Sequence, residues 1–250
     1  QYDFTTLMDR HGKDAIAVDG LGKQPGFTPA APQPGFDAIP MWVADMNFAT
    51  VPTVPAAIIR RAQHPAFGYF DPSDEYYQSI IRWQVTRNGA DPALLTKDCI
   101  GYENGVLGGV LSALTSFAAP GDGVLLHSPT YIGFTNSLKN NGYRIVHSPL
   151  VQDKDGVWRM DYADMDAKLK QYHIHVAIFC SPHNPCGRVW EREEIEQAME
   201  VYRANDCLVI SDEIWSDILL NGHKHTPTQL VSEDARRRTV ALYAPSKTFN

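Results

Sequence analysis

The chain has 250 residues, 44% of them hydrophobic and 20% charged, a globular balance with enough apolar content to bury a sizeable core. A formal charge of −7 and a pI near 5.7 argue against a nucleic-acid protein, which would present a basic surface. Cys99, Cys180, Cys186 and Cys207 are scattered and form no CxxC pair, so they read as free thiols of a reducing compartment rather than a disulfide framework or a zinc site.

Along the chain, the first forty residues are rich in Gly and Pro ("LGKQPGFTPAAPQPGFDAIP") and read as an irregular arm. From about residue 97 the pattern becomes regular. "GVLGGVLSALTSFAAPGD" (105–122) places Leu107, Val110, Leu111, Leu114 and Phe117 at helical spacing and closes on Pro-Gly-Asp. "GVLLHSPTY" then predicts a buried strand, "YIGFTNSLKNNGY" a short helix and "YRIVHSPLV" another strand. "YADMDAKLKQY" has helical character and leads into the strand "HVAIFCSP". "EREEIEQAMEVYRAND" is the clearest helix, with glutamates in its first turn and Ile195, Ala198, Met199 and Tyr202 on one stripe. "CLVISDE" and "RTVALYAPSK" follow as strands, the arginines at 236–238 reading as a solvated turn before the last one. Short β-branched runs alternating with amphipathic helices predict a three-layer α/β/α fold around a mainly parallel sheet.

In such sheets ligands bind outside the carboxyl ends of the strands. Four polar stretches sit where a predicted strand ends: "HSPTY" (127–131), "CSPHNPCGRVW" (180–190), "ISDEIWSD" (210–217) and "APSKTFN" (244–250). Each has an ordinary reading: Asn184 before a proline starts a turn, Asp212 caps the next segment, Tyr131 packs at a rim, Lys247 is a loop lysine. Together they bring an amine, a carboxylate, a carboxamide and an aromatic ring to one edge. Those are the groups that pyridoxal 5'-phosphate requires: an amine for its aldehyde, a carboxylate for its ring nitrogen, a donor for its phenolic oxygen and a ring to stack on. Its phosphate needs backbone N–H groups at a helix start, and "ENGVLGG" (103–109) supplies glycine-flanked amides there.

The blocks "SPHNPCGRVW", "SDEIWSD" and "PSKTFN" resemble the signatures of fold-type I pyridoxal-phosphate enzymes, the class I/II aminotransferase superfamily. "MWVADMNF" (41–48) and "HPAFGYF" (64–70) are similar to the cystathionine β-lyase branch, the MalY/PatB type of C–S lyase. The resemblance implies that residues 1–47 form an N-terminal arm and part of a smaller domain. Residues 48–250 then form the cofactor-binding large domain, a pyridoxal-phosphate-dependent transferase-like major domain. It implies that Lys247 forms the Schiff base, Asp212 pairs with the ring nitrogen, Asn184 donates to the phenolic oxygen and Tyr131 stacks on the ring. Gly105, Val106 and Leu107 match the phosphate turn. Tyr69 matches a tyrosine that reaches the neighbouring site of a homodimer. Two departures stand out. Trp215 occupies a position where family members carry tyrosine or histidine, and an indole cannot titrate. Family members also continue far beyond the lysine, so this chain reads as a fragment.

The activity implied is α,β-elimination from cystathionine or a related cysteine S-conjugate, giving thiol, pyruvate and ammonia. Transamination by a class I/II aminotransferase is the alternative, and a pyridoxal-phosphate-sensing regulatory module a third reading that would call for a DNA-binding segment and a basic surface. No metal is expected, because His127, His147, His173, His175 and His183 lack the close spacing of zinc ligands. His183 reads as a hydrogen-bonded turn histidine. The first twenty residues lack the apolar core of a secretory signal, and no stretch approaches the roughly 18 apolar residues of a membrane span. The expectation is a cytoplasmic protein whose partners are a small amino-acid substrate and a second copy of itself.

Overall fold

The computed structural model describes residues 2–250, which divide into two compact units, residues 69–244 and residues 2–68 with 245–250. The larger unit is built on five parallel strands: β1 (Gly123–Ser128), β2 (Arg144–Pro149), β5 (Val176–Cys180), β6 (Leu208–Asp212) and β7 (Thr239–Leu242), in the order β2-β1-β5-β6-β7. A two-stranded antiparallel ribbon, β3 (Val151–Gln152) with β4 (Trp158–Arg159), stands apart from it.

Strand periodicity sends alternate side chains to opposite faces. Leu125, Ala177, Phe179 and Val209 pack against α6 (Tyr162–Tyr172), α7 (Arg192–Ala204) and Ala235 of α8 (Glu233–Arg238). Val124, Leu126, Val176, Ile178 and Ile210 pack against α4 (Gly105–Phe117) and α5 (Ile132–Asn140). Both faces are covered, as the alternation of predicted elements requires, and the layers are α/β/α. His127, fully enclosed, meets the Tyr202 hydroxyl at 3.3 Å, and burial holds its pKa down at about 3, so it stays neutral within the core.

Local sequence explains the helix ends. Asp161 caps α6 by accepting from the Asp164 N–H at 3.0 Å, and Ser232 caps α8 by accepting from the Ala235 N–H at 3.0 Å. Helix α7 opens with a capping box between Glu191 and Glu194. The arginines at 236–238 lie in the last turn of α8 rather than in a turn; Asp234, one helical turn earlier, pairs with Arg238 at 2.5 Å, and a helix lays these groups on one side. A further helix, α3 (Asp74–Asn88), begins at Ser73, which accepts from the Tyr76 N–H, and ends at Gly89 in the left-handed region, φ 73°.

The smaller unit contains α1 (Ile16–Asp19), α2 (Thr53–Ala62) and α9 (Ser246–Phe249). Among its described residues only Ala15 and Ala17 are buried. Polar contacts organise it: Arg10 pairs with Asp45 at 2.7 Å, the Trp42 indole donates to the Ala17 carbonyl at 3.1 Å, and Asn250 exchanges hydrogen bonds with the Met46 backbone at 3.2 and 3.3 Å.

Glu194 carries more than its cap. Its carboxylate takes Arg188, Arg159 (2.8 Å) and the Glu191 N–H (2.9 Å), while Arg188 also donates to the Trp158 carbonyl at 2.9 Å. This joins α7 to the loop after β5 and to the ribbon. Glu194→Ala leaves Arg188, only 12% exposed, without its carboxylate. Urea unfolding of that variant is expected to show a loss of about 3 kcal/mol.

Candidate functional site

Because every strand of the sheet is parallel, all five carboxyl ends reach one edge. The order reverses between β1 and β5: from β1 the chain moves outward to β2, then returns to the other side of β1 to lay down β5, β6 and β7. Such a reversal opens a crevice at the carboxyl edge, because the following loops turn away to opposite faces. Here α5 after β1 lies on one face and α7 after β5 on the other. The β1–β5 ladder stops at Leu126↔Ile178, two residues short of each strand's end, whereas the β5–β6 ladder runs on to Cys180↔Asp212.

Tyr131 stands at the start of α5, beside this crevice, with its ring edge-on to Phe134 at 5.5 Å. Gly133 makes room for it. A Cβ there would lie 2.3 Å from the Tyr131 ring and 3.0 Å from Leu107 Cδ1, so the ring and the first turn of α4 share one small volume. Asn184 lies across the crevice in the loop after β5, its N–H donating to Cys180 Sγ at 3.4 Å. Asp212 ends β6, 5% exposed, with Oδ1 accepting from the Ile214 N–H at 3.1 Å. The ladder continues past it, since the Ser181 N–H donates to the Asp212 carbonyl at 2.9 Å. Burial and then the Asp212 carboxylate push the neighbouring Cys180 thiol upward, so it is no nucleophile at neutral pH.

Helix α4 begins at the same edge. A Cβ on Gly109 would come within 2.9 Å of Leu242 Cδ2, and Leu242 ends β7, so the start of α4 packs closely on the end of that strand. Asn104 makes no side-chain cap and the first turn itself holds no acidic residue; Glu103, just before it, accepts from the Ser112 hydroxyl at 3.0 Å, and the amides of Val106 and Leu107 carry the positive end of the helix. Gly105 takes φ 77°, the left-handed conformation that turns the chain into the helix.

The structure thus gathers Gly105, Val106, Leu107, Tyr131, Asn184 and Asp212 at the carboxyl edge of the larger unit. Tyr69 belongs to that unit as well, and its side chain is fully exposed. Lys247 lies on α9 in the smaller unit, where its Nζ donates to the Ala44 carbonyl at 3.3 Å. Among the described residues no group of three His, Cys, Asp or Glu side chains forms a metal-binding array, and no helix is long and apolar enough to cross a membrane.

Sequence reasoning missed Glu213. Alternation along the strand puts it on the face opposite Asp212, fully buried, where Ser211 Oγ (2.9 Å), the Thr228 N–H (3.0 Å), His225 Nε2 (2.6 Å) and the Tyr243 hydroxyl surround its carboxylate. The signal was present: two adjacent acids at a strand end cannot share a face, so one must enter the core. Burial raises the Glu213 pKa, but the ion pair with His225 and the hydrogen bonds from Tyr243 and Thr228 outweigh it, and the net direction is down.

A carboxyl lowered in the fold stabilises above its unfolded value, here the ordinary 4.5, and loses that contribution as pH falls through the lowered native value. Glu213→Gln is therefore expected to lose about 3 kcal/mol at neutral pH, because it strips the charge from a buried pair. The gap from the parent protein should shrink as pH falls below 4.5, as measured by urea unfolding at neutral and acid pH.

Comparison with known proteins agrees with this fold. Over 248 residues, 99% of the chain, it is 36% identical to cystathionine beta-lyase PatB of Bacillus subtilis, and it spans 61% of that protein's length. All of the chain superposes on 61% of cystalysin from Treponema denticola, whose structure contains a pyridoxal 5'-phosphate cofactor, with a TM-score of 0.90 and 32% identity. It superposes equally on 61% of a PLP-bound putative aminotransferase from Clostridium difficile, with a TM-score of 0.89 and 31% identity. Residues 39–250 match the model of aminotransferase class I and II, and the chain belongs to that family.

Proposed function

We propose that the protein is a pyridoxal-phosphate-dependent carbon–sulfur β-lyase, acting on cystathionine or a related cysteine S-conjugate to give thiol, pyruvate and ammonia. The observation that carries it is the convergence of Asp212, Asn184, Tyr131 and the uncapped start of α4 on the crevice where strand order reverses. The donor set fits the cofactor. A buried carboxylate suits a protonated ring nitrogen, a carboxamide suits a phenolic oxygen, and an aromatic face suits a planar ring. A helix start whose first turn carries no acidic side chain, with the Glu103 carboxylate engaged by Ser112, suits a phosphate dianion.

When bound, pyridoxal phosphate supplies the electron sink that lets a proton leave the substrate Cα. The residues of the chain do the rest. Asp212 holds the proton on the ring nitrogen, and its burial strengthens that charge pairing. Asn184 would donate to the phenolic oxygen, Tyr131 would cover one face, and the N–H groups of Val106 and Leu107 would hold the phosphate. Lys247 would supply the amine that holds the cofactor's aldehyde and, as a free amine, the base for the substrate Cα proton. Loss of the thiolate from Cβ and addition of one water to the remaining three-carbon fragment would account for thiol, pyruvate and ammonia. The exposed Tyr69 side chain suits a reach to the neighbouring subunit of a homodimer. Residues 48–250 serve as the cofactor-binding domain in this reading, and the arm at 1–47 as part of a smaller one.

The lyase assignment draws on the 36% identity to PatB. An aminotransferase is the second reading, favoured by the 31% identity to the Clostridium difficile protein. The residues named above serve both reactions equally.

Purified full-length protein is expected to gain a visible absorption band on addition of pyridoxal phosphate, and Lys247→Ala to lack it; a band that survives the substitution assigns the attachment to another lysine. With cystathionine and no keto acid, pyruvate is expected to accumulate over many turnovers. Arrest after a single turnover identifies an aminotransferase instead.

A further inference from the structure

His183 is unassigned in the roles above, yet it sits between two of the residues that hold them. It is 3% exposed, and its Nε2 lies 2.9 Å from the Pro129 carbonyl oxygen. Pro129 stands two residues before Tyr131 in the loop after β1, and His183 one residue before Asn184 in the loop after β5. The β1–β5 ladder has ended by then, at Leu126↔Ile178. Past that point the imidazole takes over the connection that the backbone no longer makes.

The connection is firmly mounted. The His183 N–H donates to the Arg188 carbonyl at 2.7 Å, its carbonyl accepts from the Gly187 N–H at 2.8 Å, and residues 183 and 188 form an isolated antiparallel bridge. The ring rests against Trp190, 5.7 Å between centroids, and the Trp190 indole donates to the Cys180 carbonyl at 3.0 Å. Burial lowers the His183 pKa and outweighs the opposing backbone hydrogen bonds at Pro129 and Cys180, so the ring is neutral. The Pro129 carbonyl can only accept, so the tautomer with its proton on Nε2 is the one that makes this hydrogen bond.

We propose that His183 is a positioning residue: its hydrogen bond to the Pro129 carbonyl sets the separation between the Tyr131 ring and the Asn184 carboxamide, and so fixes how a flat heteroaromatic ring is gripped across the crevice. This rests on the cofactor reading given above. The role needs a donor at the reach of Nε2, not a titrating group. Glutamine supplies that donor at nearly the same place, whereas the shorter asparagine supplies one only at the position of the near nitrogen.

The test compares His183→Gln with His183→Asn in the full-length protein, reading the dissociation constant for pyridoxal phosphate and the pH midpoint of its visible absorption change. His183→Asn is expected to bind about tenfold more weakly, with a midpoint displaced in the same direction as in Asn184→Ala, and His183→Gln to stay within about twofold of the parent. Equal impairment of the two variants, or parent-like values for His183→Asn, overturns the positioning role. Should neither variant fold, nitrogen-15 NMR of the histidines in the cofactor-free parent decides: a proton on Nε2, with a resonance that moves when pyridoxal phosphate is added, supports the role, and a proton on Nδ1 overturns it. A parent protein that develops no visible band removes the cofactor reading and this inference together; a normal band with unresponsive variants removes only this inference.

Discussion

The pairing of β5 with β6 is the constraint on which the candidate site rests. Val176–Cys180 runs parallel to Leu208–Asp212 in unbroken register, and one more bond, from the Ser181 N–H to the Asp212 carbonyl, carries the ladder past the end of β5. A slip of one residue would turn Asp212 into the space now held by Glu213 and drive apolar side chains of both strands off their faces. The hydrophobic layers thus fix which carboxylate meets the crevice. Packing on both sides of the sheet makes that choice, and the polar residues inherit it.

Two adjacent acids show how sharply the environment divides one residue type. Asp212 sits at the rim, bonded to the Ile214 N–H and close enough to Cys180 to raise its thiol pKa. Glu213 is sealed among four partners that together hold its charge in place against burial. The first ends β6 at the carboxyl edge of the sheet. The second ties the end of β6 to Tyr243 and to the loop carrying His225 and Thr228, which keeps β6 and β7 together where backbone pairing ends.

Much of this was legible beforehand. Strands and helices from residue 105 onward follow hydrophobic periodicity, and their alternation is enough to set three layers and one carboxyl edge. The stretch from residue 48 to 96 was harder to read. Helices α2 and α3 bury no residue among those described; α2 carries Val54, Ala57 and Ile58 at helical spacing, a stripe missed in the sequence reading, and α3 is marked by Ser73 and Gly89 at its ends. The arginines at 236–238 looked like a solvated turn because three like charges hide the pairing with acids one helical turn earlier. Asn184, Tyr131 and Asp212 could be placed at strand ends from pattern alone. The His183–Pro129 bond could not, since it joins residues 54 positions apart through loops whose course periodicity does not describe.

The missing side chain at Gly133 links three segments that are distant in sequence. The opening turn of α4 and the aromatic at the head of α5 close so tightly on the glycine that a methyl group there would overlap the ring. A side chain at 133 would have to displace the Tyr131 ring, 2.3 Å away, whereas Leu107 at 3.0 Å need give only slightly. Among descendants of this chain, positions 131 and 133 should therefore vary in concert or not at all.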